Sequence, residues 1–177
     1  QAAVDQTEAC DLTTVEGRLP LAVDRRRTTS SHTDPRVAAI GFRRREEATY
    51  AAVIVNYPMH PVALGASNRH ISADIPGQAA LALAGQIPGH PIVLVTNGAC
   101  GNLNPPAENV TFAQIQAWGG QIADAVAPLL NRATSVPSAK LRVATRVLPL
   151  PLDVLTVEGV EATAAKALRN PGPIAEW

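Results

Sequence analysis

The stretch TYAAVIVNYPMHPVALGASNRHISADIPGQAALALAGQIPGHPIVLVTN, residues 49–97, decides the fold class of this chain. It opens on a run from Thr49 to Asn56 rich in valine, isoleucine and alanine, which reads as a strand. The run is nearly all apolar, so the strand is expected to be central and covered on both faces rather than an edge. Asp74 then precedes Pro76 and an apolar series through Ala79, Leu81 and Leu83. That pattern predicts a helix capped by Asp74 or Ile75 and ended before Pro88. A second buried strand follows at Pro91 to Thr96.

Working outward, Asp34 and Pro35 signal a turn, and Arg36 to Arg43 is apolar enough to pair with Thr49 to Asn56 as a hairpin across the charged Arg44 to Glu47. Gln1 to Thr33 is polar, shows no convincing period and is expected to be mostly irregular with one short strand. On the other side, Asn97 to Asn109 reads as a glycine- and asparagine-rich loop. Thr111 starts a long helical pattern through Ile115, Trp118, Ile122 and Val126. Lys140 to Leu150 alternates like another strand, and Thr156 to Leu168 like a surface helix with its alanines inward. This order predicts an α/β fold, a mixed β-sheet with helices packed on it. Residues 1–177 are read as part of a single domain, and the abrupt finish at Trp177 suggests an incomplete part of a larger one.

With 177 residues, 46% of them hydrophobic, the chain can bury a sizeable core, and with only 3% aromatic residues that core must be aliphatic. Fifteen basic residues balance fifteen acidic ones, so no general field attracts nucleic acid or an anionic membrane. No apolar run approaches the roughly 20 residues of a transmembrane segment. Cys10 and Cys100 allow one disulfide or two free thiols, compatible with a secreted or a cytosolic protein. Signatures for serine hydrolases with a GxSxG elbow, HExxH zinc proteases and phosphate-binding loops are absent.

Chemistry concentrates in two stretches, each following a buried strand. In the first, His60 stands where a strand gives way to a proline, either as a zinc ligand or as a capping hydrogen-bond partner. His70 and Asp74 lie nearby in sequence, although the spacing matches no short metal signature and Asp74 is also a good helix cap. The second stretch is TNGACGNLNPP, residues 96–106, whose glycines let backbone amides approach a ligand. It forms either a plain connection or an oxyanion-binding turn with Asn102 or Asn104 as donors. Arg25, Arg26 and Arg27 read as a solvated or internally paired cluster. No role falls to His32 or His90.

Taken together, these stretches resemble the catalytic domain of the neutral/alkaline non-lysosomal ceramidases. DRRR at Asp24 to Arg27 looks like the family's arginine-pair segment, and DPRVAAIGFR like the strand after it. VNYPMHP is similar to the strand that ends in a zinc-binding histidine, HISADIPG to the segment leading into a helix, and NGACGNLNP to the glycine-rich loop. The likeness is strongest over residues 24–106. It implies a zinc-dependent amidohydrolase acting on a small-molecule or lipid-like amide or ester, in which Zn2+ polarises the carbonyl and activates water. His60 would be the metal ligand, Asn97, Gly98 and Gly101 the loop beside the reacting carbonyl, and Asn102 and Asn104 catalytic donors. Asn104 stands where the family places a serine, so neither nucleophilic chemistry nor N-acylsphingosine specificity carries over.

The family's other histidine motif and its glutamate and tyrosine ligands are not identifiable, so another chain, or another segment of the same precursor, is expected to complete the site. A secreted or periplasmic location is slightly favoured. The alternative reading is a binding module that keeps the fold and has lost the zinc site.

Overall fold

A computed structural model describes residues 2–5, 7–26, 32–47, 49–137, 140, 142–151 and 156–169. They fall into two compact units, Gln1–Ala139 and Lys140–Trp177.

The first unit is built on a four-stranded mixed sheet. Its strands are β1 (Cys10–Arg18), β3 (Arg36–Arg44), β4 (Tyr50–Tyr57) and β5 (Ile92–Asn97), in the order β1-β3-β4-β5. The first three are antiparallel, with β3 and β4 forming the expected hairpin, and β5 lies parallel to β4. A parallel neighbour requires a crossover, and residues 58–91 supply it through helix α2 (Asp74–Gln86). A two-stranded ribbon pairs β2 (Val23–Asp24) with β6 (Leu103–Asn104). A four-residue helix α1 (Ala2–Asp5) precedes β1.

Alternation along the strands sends Val37 and Ala39 of β3 and Val53, Val55 and Tyr57 of β4 into one core. Helix α2 and helix α3 (Phe112–Leu130) cover that face, contributing Ile75 and Leu83 from the first and Ile115, Ile122 and Val126 from the second. Thr111 caps α3 by accepting the Gln114 amide at 3.3 Å. At Gly119 the two helices come so close that a β-carbon would stand 2.6 Å from the Ala79 nitrogen.

Five expectations need correction. Residues before Thr33 are not mostly irregular, because β1 runs for nine residues along β3. Its inward positions are Thr13, Val15 and Gly17, only one of them apolar, so the alternation that marks a strand is missing from the sequence. Thr13 is fully buried, and its hydroxyl donates to the Gly41 carbonyl. β4 is central as expected, but the described residues cover only one of its faces. On the other, Ile40, Ile54 and Leu94 stand in register, with Ile40 and Leu94 exposed.

The third correction concerns Asp74. It opens α2 at a φ of 49°, and the N-cap residue is Ala73, with no side-chain cap. The buried Asp74 carboxylate instead accepts the Leu64 amide at 3.1 Å and the Ile75 amide at 2.7 Å, clamping the crossover loop to the helix start. Fourth, the described residues among 140–151 form no strand. Val143, Val147 and Leu150 are exposed, and alternation without a partner gains nothing. In this second unit α4 (Val157–Arg169) is helical as expected, but none of its residues is buried, so its alanines do not face inward.

Candidate functional site at the ends of the parallel strands

β4 and β5 end side by side, with Tyr57 opposite Asn97, and the loops that leave them carry the residues of interest. Such strand ends offer groups to solvent from a rigid base. The base here is fixed by Tyr57, a buried phenol that accepts the Leu21 and Ala22 amides at 3.1 and 2.9 Å and donates to the Leu19 carbonyl at 2.8 Å. Burial pushes its pKa up, which keeps it a donor over the ordinary pH range.

His60 follows three residues after Tyr57 and is partly buried. Its backbone amide donates to the Leu103 carbonyl at 2.9 Å, which stitches the end of β4 to the glycine-rich loop. Its ring Nδ1 lies 3.6 Å from the Cys100 sulfur. Both cysteines are free, so the disulfide option is not realised, and Cys100 is buried against the histidine instead. From the sequence alone, Cys100 has no role beyond a possible bridge. Its place in the loop after β5, opposite the loop that bears His60, is the signal that pairs them.

The loop residues occupy distinct positions. Asn97 donates through its amide to the Met59 carbonyl at 3.1 Å, with the Cys100 sulfur 3.8 Å away. Gly98 donates its amide to the Tyr57 carbonyl, and a β-carbon there would crowd Pro58 at 3.0 Å, so this glycine permits a close approach. Gly101 has open space around it and receives the Arg25 guanidinium on its carbonyl.

Asn102 is turned towards the arginine segment, donating to the His32 carbonyl at 2.8 Å and helping to hold the Asp24 carboxylate. Asn104 donates to Glu108 at 2.7 Å, while its side-chain oxygen is buried with no partner among the described residues. The free valence of Asn104 is therefore an acceptor, suited to an N–H or O–H donor rather than to an oxyanion.

The arginine segment is absorbed into the same region. The Arg25 amide donates to the Asn102 carbonyl beside the β2–β6 ribbon, and Arg26 pairs with Asp24 at 2.9 Å. Hydrogen bonds from Arg26, joined by Asn102 and the His32 amide, hold the Asp24 carboxyl far below the usual carboxylate range. Arg27 lies outside the described residues. These cations thus read as paired and structural, with no phosphate site implied.

His70 is exposed and meets the Phe112 ring edge-on at 6.1 Å. Asp74 is spent on the backbone clamp. Among the described residues no three histidine, cysteine, aspartate or glutamate side chains come together in a metal-binding group. His60 and Cys100 are a pair, and both are zinc-type donors. No helix among the described residues is long and apolar enough to cross a membrane.

No protein-family model matches the sequence, and no curated protein does. Among solved structures, the chain is similar to neutral ceramidase from Pseudomonas aeruginosa, with a TM-score of 0.60 and 17% identity over 71% of this chain. It is likewise similar to a ceramidase complexed with C2, with a TM-score of 0.61 and 16% identity over 71% of this chain. At such identities the likeness is one of fold: the described sheet and helices form a ceramidase-like fold. The chain spans 23% of the length of each of these structures.

Proposed function

We propose that this chain is part of a zinc-dependent hydrolase of an amide or ester bond, with His60 as a metal ligand and the 97–104 loop beside the reacting carbonyl. One observation carries the reading: in a ceramidase-like fold, His60 stands at the end of β4 and is tied by its own backbone to that loop. Zinc, when bound, would polarise the carbonyl and supply an activated water. The chain's own residues do the rest. Leu103 and Cys100 fix the position of His60, the tight turn at Gly98 brings backbone close to a ligand, and the Asn104 oxygen accepts a hydrogen bond from the amide N–H or a hydroxyl of the substrate.

A lipid-like substrate is the extension that the ceramidase neighbours suggest. A secreted or periplasmic location accompanies the same reading, though the two free thiols add no support through a bridge. One described ligand, His60, falls short of the usual three in a catalytic zinc site, so further ligands would come from a partner or from other sequence of the same protein.

Asn104 favours a second reading. Its amide is occupied by Glu108 and it lacks a nucleophilic atom, as in a binding module that has given up hydrolysis. Metal content and turnover separate the two. The purified protein should carry about one zinc per assembled site and cleave short-chain N-acyl amides or esters. His60→Ala should lose both properties with its circular dichroism unchanged. Full activity in that variant, or a wild-type protein without zinc or turnover, would refute the hydrolase reading.

A further inference from the structure

We infer that Glu108 is a positioning residue that sets the polarity of the site: it turns the Asn104 side-chain amide so that the oxygen, rather than the nitrogen, is left for a bound molecule, and the loop then reads hydrogen-bond donors. The inference rests on the reading that places Asn104 beside the reacting group, and it adds the residue that orients it. Two observations on one side chain supply the argument. The Asn104 amide nitrogen donates to the Glu108 carboxylate at 2.7 Å, and the Asn104 oxygen is buried with no partner among the described residues. A carboxylate only accepts, so a reversed amide would set two acceptors against each other. The short contact to a charged acceptor therefore selects one of the two orientations of the amide.

The chain between the two residues leaves little freedom to break this contact. Asn104 is paired with Val23 in the β2–β6 ribbon, and Pro105 and Pro106 follow it, the first of them buried. Each proline ring fixes its own φ, and the residue before a proline is kept extended. Beyond Glu108, the Val110 amide donates to the Ala63 carbonyl at 3.1 Å, which ties the far end of the loop to the crossover after β4. Glu108 is exposed, so its carboxylate keeps water on its outer side, whereas the Asn104 oxygen does not. A ligand N–H or O–H thus meets an acceptor that surrenders no water, and a ligand acceptor in the same place meets another acceptor. Sites built this way discriminate through the group that the wrong ligand leaves unpaired.

The test is binding of a matched pair of probes, a short-chain secondary N-acyl amide and its N-methylated tertiary amide, followed by NMR titration. The proteins are wild type at its natural length, Glu108→Gln, Glu108→Ala and Glu108→Lys. Wild type should bind the N–H probe about tenfold more tightly than its N-methyl counterpart. Glu108→Gln should keep that ratio, because its side-chain oxygen still accepts from Asn104. Glu108→Ala and Glu108→Lys should lower the ratio about tenfold, the lysine by donating to the Asn104 oxygen and turning the amide round.

A structural role alone for Glu108 would lower the melting temperature of the alanine and lysine variants and leave the ratio where it was, an outcome that overturns the inference. Failure of the wild type to prefer the N–H probe overturns it as well. The Asn104 side-chain amide protons report the orientation without any ligand: one should exchange slowly with solvent in wild type and Glu108→Gln and quickly in Glu108→Ala. Equally fast exchange in all three also overturns the inference. Turnover is read separately. A protein that binds with these ratios and cleaves neither probe loses the hydrolase reading and keeps this one, whereas cleavage with a ratio indifferent to residue 108 does the reverse.

Discussion

Asn104 is held at one end only. Its amide nitrogen sits on Glu108 and its oxygen is buried without a partner among the described residues, a condition that costs about 1–3 kcal/mol unless a donor arrives. Asn104→Ser removes both ends of this arrangement. The expected outcome is an altered ranking of substrates, with about a tenfold change in the ratio of kcat/KM between an amide and the matching ester, measured by steady-state hydrolysis. An unchanged ratio and rate would remove Asn104 from the site. Asp24 makes a pH prediction. Its folded pKa is depressed, so its contribution to stability is present above the ordinary carboxylate pKa of about 4 and is lost as pH falls below that towards the depressed value. Asp24→Asn should thus be less stable than wild type in urea at pH 7, and the gap should narrow steadily below about pH 4. Of these residues, His60 and the 97–104 loop were legible in the sequence, because a polar group that ends an apolar strand announces itself. The pairing of His60 with Cys100 was not, since 40 positions separate them and only the parallel register of β4 and β5 brings their loops together.

At the level of elements, α2 and α3 were readable from their 3.6-residue periodicity, yet how closely they pack was not. Two adjacent glycines in α3 show the difference. A β-carbon at Gly119 would press on the backbone of α2, whereas at Gly120 nothing lies within 4 Å. Gly119→Ala should lower stability by about 1–3 kcal/mol through forced separation of the helices. Gly120→Ala should raise it by up to about 1 kcal/mol through helix propensity alone. Urea denaturation of the two variants checks both signs, and equal effects would mean that the helices do not meet at Gly119. β1 was missed for the converse reason. Its inward positions hold a hydroxyl and a glycine, so its place in the sheet is decided by β3 and by the room beneath Gly41 and Gly17 rather than by its own pattern. The alternation in 140–150 misled because a strand exists only where another strand accepts its hydrogen bonds.

For the molecule as a whole, strand, helix and strand in residues 49–97 were enough to fix the α/β class, and the ceramidase-like fold agrees with it. That the described residues cover only one face of β4 could not be foreseen, because an apolar strand reads the same whether one side or both are packed. The β2–β6 ribbon has a kinetic meaning. It joins Val23 to Asn104 and Asp24 to Leu103 by a ladder only two residues long, closing a loop of roughly 80 residues for very few bonds. Such a clasp opens more readily than the sheet it borders. Amide hydrogen exchange should therefore be faster at Val23 and Leu103 than at Val53 and Val55 in the middle of β4. Binding of zinc should slow exchange at His60 and Leu103 while leaving β4 unchanged, and uniform slowing across the sheet would argue against a separate clasp. On this view the region around His60 is a latch that closes last in folding and is locked by whatever it holds.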